Sequence, residues 1–157
     1  MSGKLAYEIQ QSKPFRSLEE EAFLNLGRTF EMLQEKVIEL LKQYQLTATQ
    51  YNMLRILRGA GPDGLTCSQA TERMLTADPD VTRLLDRMEA RHLIARERSQ
   101  QDRRVVITRI TAEGLALAAE IDQPLADLLR SLMGHAGRGR LVELINILET
   151  LREGGAS

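Results

Sequence analysis

The sequence predicts a mainly α-helical protein with one small β-hairpin, in which a compact middle segment is flanked by long helical arms. Three observations carry this. Apolar residues recur at spacings of three and four near both ends of the chain. The middle contains three short segments, each opened by a residue that caps helices. Between Leu93 and Ile110 the period then changes from helical to extended.

At 157 residues the chain is long enough to bury a core without disulfides or metal. Charged residues make up 27% and hydrophobic ones 43%, the balance of a globular protein rather than a disordered one. No apolar run approaches the roughly 20 residues of a membrane span. The first fifteen residues lack the apolar stretch of an export signal. The single cysteine, Cys67, cannot form an internal disulfide. A cytoplasmic protein without membrane partners is expected.

Residues 1–16 are read as an N-terminal extension. The first arm starts at Ser17, a capping residue, with Glu20 three positions on closing a capping box. Leu26, Phe30, Leu33, Val37, Leu40 and Tyr44 form one stripe on a helix of about 27 residues, roughly 40 Å long. Thr47 with Gln50, and Thr66 with Gln69, open two short helices, about 48–58 and 67–75. Gly59, Gly61, Pro62 and Gly64 turn the chain between them. Tyr51, Leu54, Leu57, Ala70 and Met74 are their core candidates. Asp78 is read as the cap of a third helix with Pro79 in its first position, where a missing N–H is harmless. Val81, Leu84, Leu85 and Met88 are its buried face. Helix, tight turn, helix is a helix-turn-helix.

Leu93–Arg98 and Val105–Ile110 are rich in arginine and β-branched residues, and residues 99–104 (SQQDRR) link them as a two-stranded hairpin, a wing. Thr111 caps a second long helix bearing Leu115, Ala118, Ile121, Leu125, Leu128, Leu129 and Leu132, which Pro124 should kink or split. Gly134, Gly137 and Gly139 loosen a link, read as a flexible hinge, to a final helix striped by Leu141, Leu144, Ile145, Leu148 and Leu151. Two arrangements cover these apolar arms: a symmetric dimer in which the arms of two copies interdigitate, or arms folded onto their own middle.

The net charge of −1 is not that of a protein that coats nucleic acid in bulk. Between Thr82 and Arg109, however, eight arginines stand against four acids. Arginine's planar fork suits phosphates and guanine edges, although arginines also pair with carboxylates on solvated helices. Only two histidines are present, with neither a metal-ligand spacing nor a phosphate-binding glycine loop after a strand. No catalytic residue, metal or cofactor is expected, and the protein is not read as an enzyme. Met32, Met53 and Met88 are read as core. Cys67 falls in a first helical turn, where oxidant sensing is conceivable, but a plain buried thiol is the expectation.

The run from Val81 to Gly114, VTRLLDRMEARHLIARERSQQDRRVVITRITAEG, resembles the MarR family of transcription regulators. The likeness lies in the VTRLLDRMEA helix, the arginine-bearing strand, the D-x-R wing tip at Asp102 and Arg104, and the I-T-x-E-G segment from Ile110 to Gly114. It implies a winged helix-turn-helix lobe at 46–111 between dimerisation helices at 17–45 and 112–153, together one MarR-like domain over 17–157. It also implies a homodimer, probing double-stranded DNA at a site with twofold character, and acting as a repressor relieved by a small apolar or aromatic effector. Asp80, Thr82, Arg83, Asp86 and Arg87, off the buried face of the third helix, are the groove-facing candidates, with Ser68, Gln69 and Pro79 beside them. Asp80 would orient an arginine or accept from a cytosine. Arg103 and Arg104 at the wing tip would meet the backbone and minor groove, and Asp102 would structure the wing. A protein-interaction module without specific DNA binding is the alternative on the same fold. At His92 the family usually has a glycine that ends the recognition helix in a left-handed turn. Histidine enters that conformation only under strain, or the helix ends differently.

Overall fold

A computed structural model describes residues 3–155. The chain divides into two compact units, Met1–Glu39 and Leu40–Ser157. Among the described residues no helix is long and apolar enough to cross a membrane.

The first unit holds a short helix α1 (Lys4–Glu8) and most of α2 (Leu18–Lys42). The extension at 1–16 thus contains a helical turn. Leu5 is buried, and the Gly3 amide donates to Glu21 Oε1 at 3.0 Å. At the start of α2, Ser17 Oγ accepts from the Glu20 amide at 3.2 Å, as its cap should. Glu20 reaches back to the Arg16 amide at 2.6 Å, one residue before the position a capping box specifies. Leu18, Phe23, Leu26, Phe30 and Met32 are all exposed, so Met32 is not a core residue. The apolar stripe of α2 runs through Leu26, Phe30, Leu33, Val37 and Leu40 as expected, without Tyr44, and its first half remains uncovered.

The second unit begins with the last turn of α2. Gln45 ends it at φ 55°, its amide donating to Lys42 O at 3.0 Å and the Leu46 amide to Leu41 O at 3.1 Å. This is a Schellman turn, with Leu41 and Leu46 both buried across it. It leaves Tyr44 just outside the helix. Helix α3 (Ala48–Ala60) and helix α4 (Cys67–Glu72) each open with the complete capping box read from Thr47/Gln50 and Thr66/Gln69. α4 is three residues shorter than expected, because the Leu75 amide is taken by Asn52 Oδ1 of α3 at 3.0 Å. Cys67 at its start is exposed rather than buried.

Helix α5 spans Val81–Ala90. Its cap is Asp80, not Asp78, and Pro79 lies outside it. Asp78 Oδ1 accepts from the Asp80 amide at 2.8 Å, a local turn that delays the helix, and Asp80 Oδ1 then accepts from the Arg83 amide at 3.0 Å.

Strands β2 (Ile94–Arg98) and β3 (Val106–Ile110) pair antiparallel with Ile94 opposite Ile110 and Arg98 opposite Val106. The sheet has a third strand that the sequence did not announce. β1 (Leu65–Thr66) pairs with β3 through Leu65 opposite Thr108, giving the order β1-β3-β2. Gly64, at φ 66°, permits this, since a Cβ there would lie 2.6 Å from Thr108 O.

Helix α6 (Ala112–Met133) runs unbroken through Pro124. Proline removes one backbone bond, and the buried Ala118 and Ile121 on the preceding turn hold the helix in place. The link that follows is a single 3₁₀ turn, Gly134–Ala136, not a loose hinge, and α7 (Arg138–Gly154) begins at once, with Gly139 inside it.

The core of this unit joins Leu41, Met53, Leu54 and Leu57 with Leu85, Met88, Ile94 and Ile121, each no more than 2% exposed. Burying one such side chain contributes about 1.5–3 kcal/mol. α7 buries nothing, and Val142, Leu144, Ile145, Ile147 and Leu151 stand exposed on it.

Candidate nucleic-acid interface

The arginines between Thr82 and Arg109 look alike in the sequence, but the structure separates them. Arg96 is an internal clamp. Its Nε donates to Glu89 Oε2 at 3.0 Å, its amide to Glu89 Oε1 at 3.1 Å, and its Nη2 to Asp86 Oδ1 at 2.6 Å. These bonds fasten β2 to α5. The Arg96 hydrogen bond holds the Glu89 carboxyl below its ordinary range, and Glu89 in turn raises Arg96. Arg109 donates to Pro62 O at 2.7 Å and approaches Glu97 at 3.5 Å. Arg91 donates to Gln45 O and Arg98 to Arg103 O, at 2.6 and 3.0 Å. Arg83 stays near its own cap, its Nε 3.5 Å from Asp80 Oδ2. Among the described residues the side chains of Arg87, Arg103 and Arg104 make no ion pair or hydrogen bond within the protein, and all three are exposed.

These three occupy two places. Arg87 lies on α5 one turn beyond Arg83, with Thr82 also exposed. Asp80, Arg83 and Arg87 line one hollow of about 240 Å³ together with Thr47 and Thr49 from the start of α3. The sequence had suggested Thr47 only as a cap and Thr49 not at all. Only the fold brings them to the third helix, so no local signal marks them. Ser68 and Gln69 are exposed at the start of α4, outside that hollow, and the Gln69 carboxamide oxygen is engaged by the Thr66 amide at 3.0 Å. Pro79 is exposed just before the Asp80 cap.

The second place is the wing tip, a built turn rather than a floppy loop. The Ser99 amide donates to Val105 O at 2.8 Å, extending the ladder, and the Val105 amide to Asp102 O at 3.0 Å, closing a β-turn. Asp102 Oδ1 accepts from the Arg104 amide at 3.0 Å, and Ser99 Oγ from the Gln101 amide at 3.2 Å. The Asp102 carboxylate therefore organises backbone, while the arginine side chains beside it project unpaired.

Behind the wing, Thr111 Oγ1 accepts from the Gly114 amide at 3.0 Å and donates to His92 O at 2.6 Å. A Cβ at Gly114 would collide with Leu93 O and come within 2.8 Å of the Ile110 side chain. The I-T-x-E-G spacing is thus the joint of β3, α6 and the end of α5. His92 takes the left-handed conformation at φ 58°, in a second Schellman turn whose amides donate from His92 to Glu89 O and from Leu93 to Met88 O. The helix therefore ends in the same left-handed turn with histidine as it would with glycine, at the strain a Cβ brings there.

A capped short helix packed on a three-stranded wing, with unpaired arginines on both, defines a winged helix-turn-helix DNA-binding protein. The MarR family profile matches residues 44–105. The chain is 33% identical over 134 residues to the multiple antibiotic resistance protein MarR of Salmonella typhimurium, covering 80% of this chain and 90% of that one. It is similar to the crystal structure of a MarR transcription factor from Planctomyces limnophilus, at 38% identity and a TM-score of 0.67, over 87% and 99% of the two chains. It also shares its fold with Bordetella bronchiseptica BpsR, whose DNA binding is regulated by 6-hydroxynicotinic acid, at 23% identity and a TM-score of 0.73 over 92% and 99%. The chain belongs to the MarR family and is a transcriptional regulator.

Proposed function

We propose that this regulator is a homodimeric repressor that reads a twofold-related operator with α5 and the wing, and that a small apolar or aromatic effector releases it. The observation that carries the reading is the separation of the arginines. Five are held by the protein itself, whereas Arg87, Arg103 and Arg104 are left with no partner among the described residues and lie where the fold class meets DNA. In this reading α5 enters the major groove, with Thr82, Arg83 and Arg87 at base edges or phosphates. Asp80 caps the helix and steers Arg83. Pro79, Ser68 and Gln69 flank the backbone, and Arg103 and Arg104 follow it into the minor groove, with Asp102 shaping the turn that presents them.

The dimer is supported by the uncovered apolar residues of α2 and, separately, of α7, which monomeric proteins rarely leave exposed in such numbers. Occupation of an operator that overlaps a promoter excludes polymerase, which makes repression the direct result of binding. Regulation of BpsR by a small aromatic acid supports an effector of that type.

The test is selection of duplexes from a random-sequence pool by the purified protein. The reading expects an inverted repeat with half-sites about 34 Å apart, one turn of the double helix or a multiple of it. Enrichment of no motif would favour the protein-interaction alternative. In a transcription assay on the selected site, addition of protein should lower the yield of transcript.

A further inference from the structure

We propose that Arg91 is a positioning residue for DNA reading: its guanidinium ties the C-terminal end of α5 to the carbonyls that close α2, so sequence-specific affinity depends on a side chain that does not touch DNA. The inference rests on the reading of α5 as the recognition helix.

Arg91 is the C-cap residue of α5. Its Nη1 donates to Gln45 O at 2.6 Å and its Nη2 to Tyr44 O at 3.4 Å. Both acceptors are backbone oxygens, which cannot rotate away, and two nitrogens of the planar fork reach successive carbonyls in a fixed geometry that a freely rotating ammonium does not impose. The oxygens sit at the negative end of the α2 dipole, where a cation is favoured.

The two ends so joined are built alike. α2 closes on left-handed Gln45 with Leu41 and Leu46 buried across the turn, and α5 closes on left-handed His92 with Met88 and Leu93 buried across its own. Each is a fixed turn, so a tie between them fixes orientation rather than adding another contact between loose segments. The leverage is large. α5 is about 15 Å long, and a tilt of about 10° at its C-terminal end moves its first residues by roughly 2.6 Å, beyond what a hydrogen bond to a base edge tolerates. Arg96 holds α5 on the side of the sheet through Asp86 and Glu89. Arg91 is the corresponding polar tie on the side of α2.

The experiment compares wild type, Arg91→Ala and Arg91→Lys on two probes: a duplex that the wild-type protein selects from a random pool, and a scrambled duplex of the same composition. Arg91→Ala should weaken binding to the selected duplex by about tenfold, the scale of one misread base pair. Binding to the scrambled duplex and the salt slope on both should stay at wild-type values. Arg91→Lys, keeping the charge but not the fork, should fall between; it carries the same comparison if the alanine variant melts at the assay temperature. Equal losses on both duplexes would make Arg91 a merely structural residue and overturn the proposal, as would unchanged affinity. A salt slope lower by about one would make Arg91 a phosphate ligand and overturn it equally. If the wild type itself fails to distinguish the duplexes, the recognition-helix reading fails first, and that result is visible before any variant is examined.

Discussion

Replacing His92 by glycine should stabilise the protein. The residue holds φ 58° at the end of α5, its side chain is exposed, and none of the bonds that define the turn uses that side chain: the His92 amide donates to Glu89 O, the Leu93 amide to Met88 O, and Thr111 Oγ1 to His92 O. Glycine keeps every one of them. The left-handed conformation costs a residue with a Cβ about 1–2 kcal/mol. Glycine loses about 0.5–1 kcal/mol more backbone entropy on folding, so the net gain is about 0.5–1 kcal/mol. At fixed protein concentration, which matters if the folded form is a dimer, this corresponds to a rise in melting temperature of roughly 1–4 °C. His92→Ala keeps the Cβ and should gain nothing. Thermal or urea melts of the three proteins decide the matter. A glycine variant no more stable than wild type, or an alanine variant that gains as much, would refute the claim that the Schellman turn is under strain.

Gly114→Ala should destabilise by about 1–3 kcal/mol, since its methyl group meets Leu93 O, which is backbone and cannot yield; a wild-type melt would contradict this. Glu89 and Asp122 titrate below their ordinary values because Arg96 and Arg58 hydrogen-bond them, Arg58 bidentately at 2.8 and 3.0 Å. A carboxyl whose folded pKa is depressed adds stability above its unfolded value, and that stability is lost as pH falls through the folded one. Urea melts should therefore weaken below about pH 4.5, by about 0.5–1 kcal/mol per pair at this exposure, and Glu89→Gln or Asp122→Asn should flatten the dependence. If α7 lies in the proposed dimer interface, Ile145→Lys on its exposed face should weaken self-association by about tenfold or more, as a charge trapped in an apolar interface does; sedimentation showing an unchanged mass would remove α7 from that proposal.

What could be read from the sequence was the part governed by local chemistry. Thr47 with Gln50, Thr66 with Gln69, and Thr111 ahead of Gly114 announce helix starts because a cap acts across three residues. The change of period at Leu93 announces the wing. The sequence misled where two local devices compete, as at Asp78-Pro79-Asp80: proline suits a first helical position, but Asp78 spends its carboxylate on the Asp80 amide and the helix starts later. It was silent where contacts are distant. β1 is two residues long and has no period to detect, and no spacing rule connects Arg109 with Pro62 or Arg91 with Gln45. The same holds for Cys67 and Met32, whose exposure depends on packing rather than on residue type. Charge counting found the arginine cluster but could not sort it, because the sorting is done by the fold.

The central claim is that the unpaired arginines, Arg104 of the wing among them, meet DNA, whereas Arg109, bound to Pro62 O and beside Glu97, does not. It is tested most directly by the salt dependence of binding to the selected duplex, measured for wild type, Arg104→Ala and Arg109→Ala. Loss of Arg104 should reduce the slope of log K against log salt by about one, as expected when a phosphate contact disappears, while Arg109→Ala leaves the slope unchanged. Equal slopes for all three proteins, or a drop for Arg109 and none for Arg104, would contradict it.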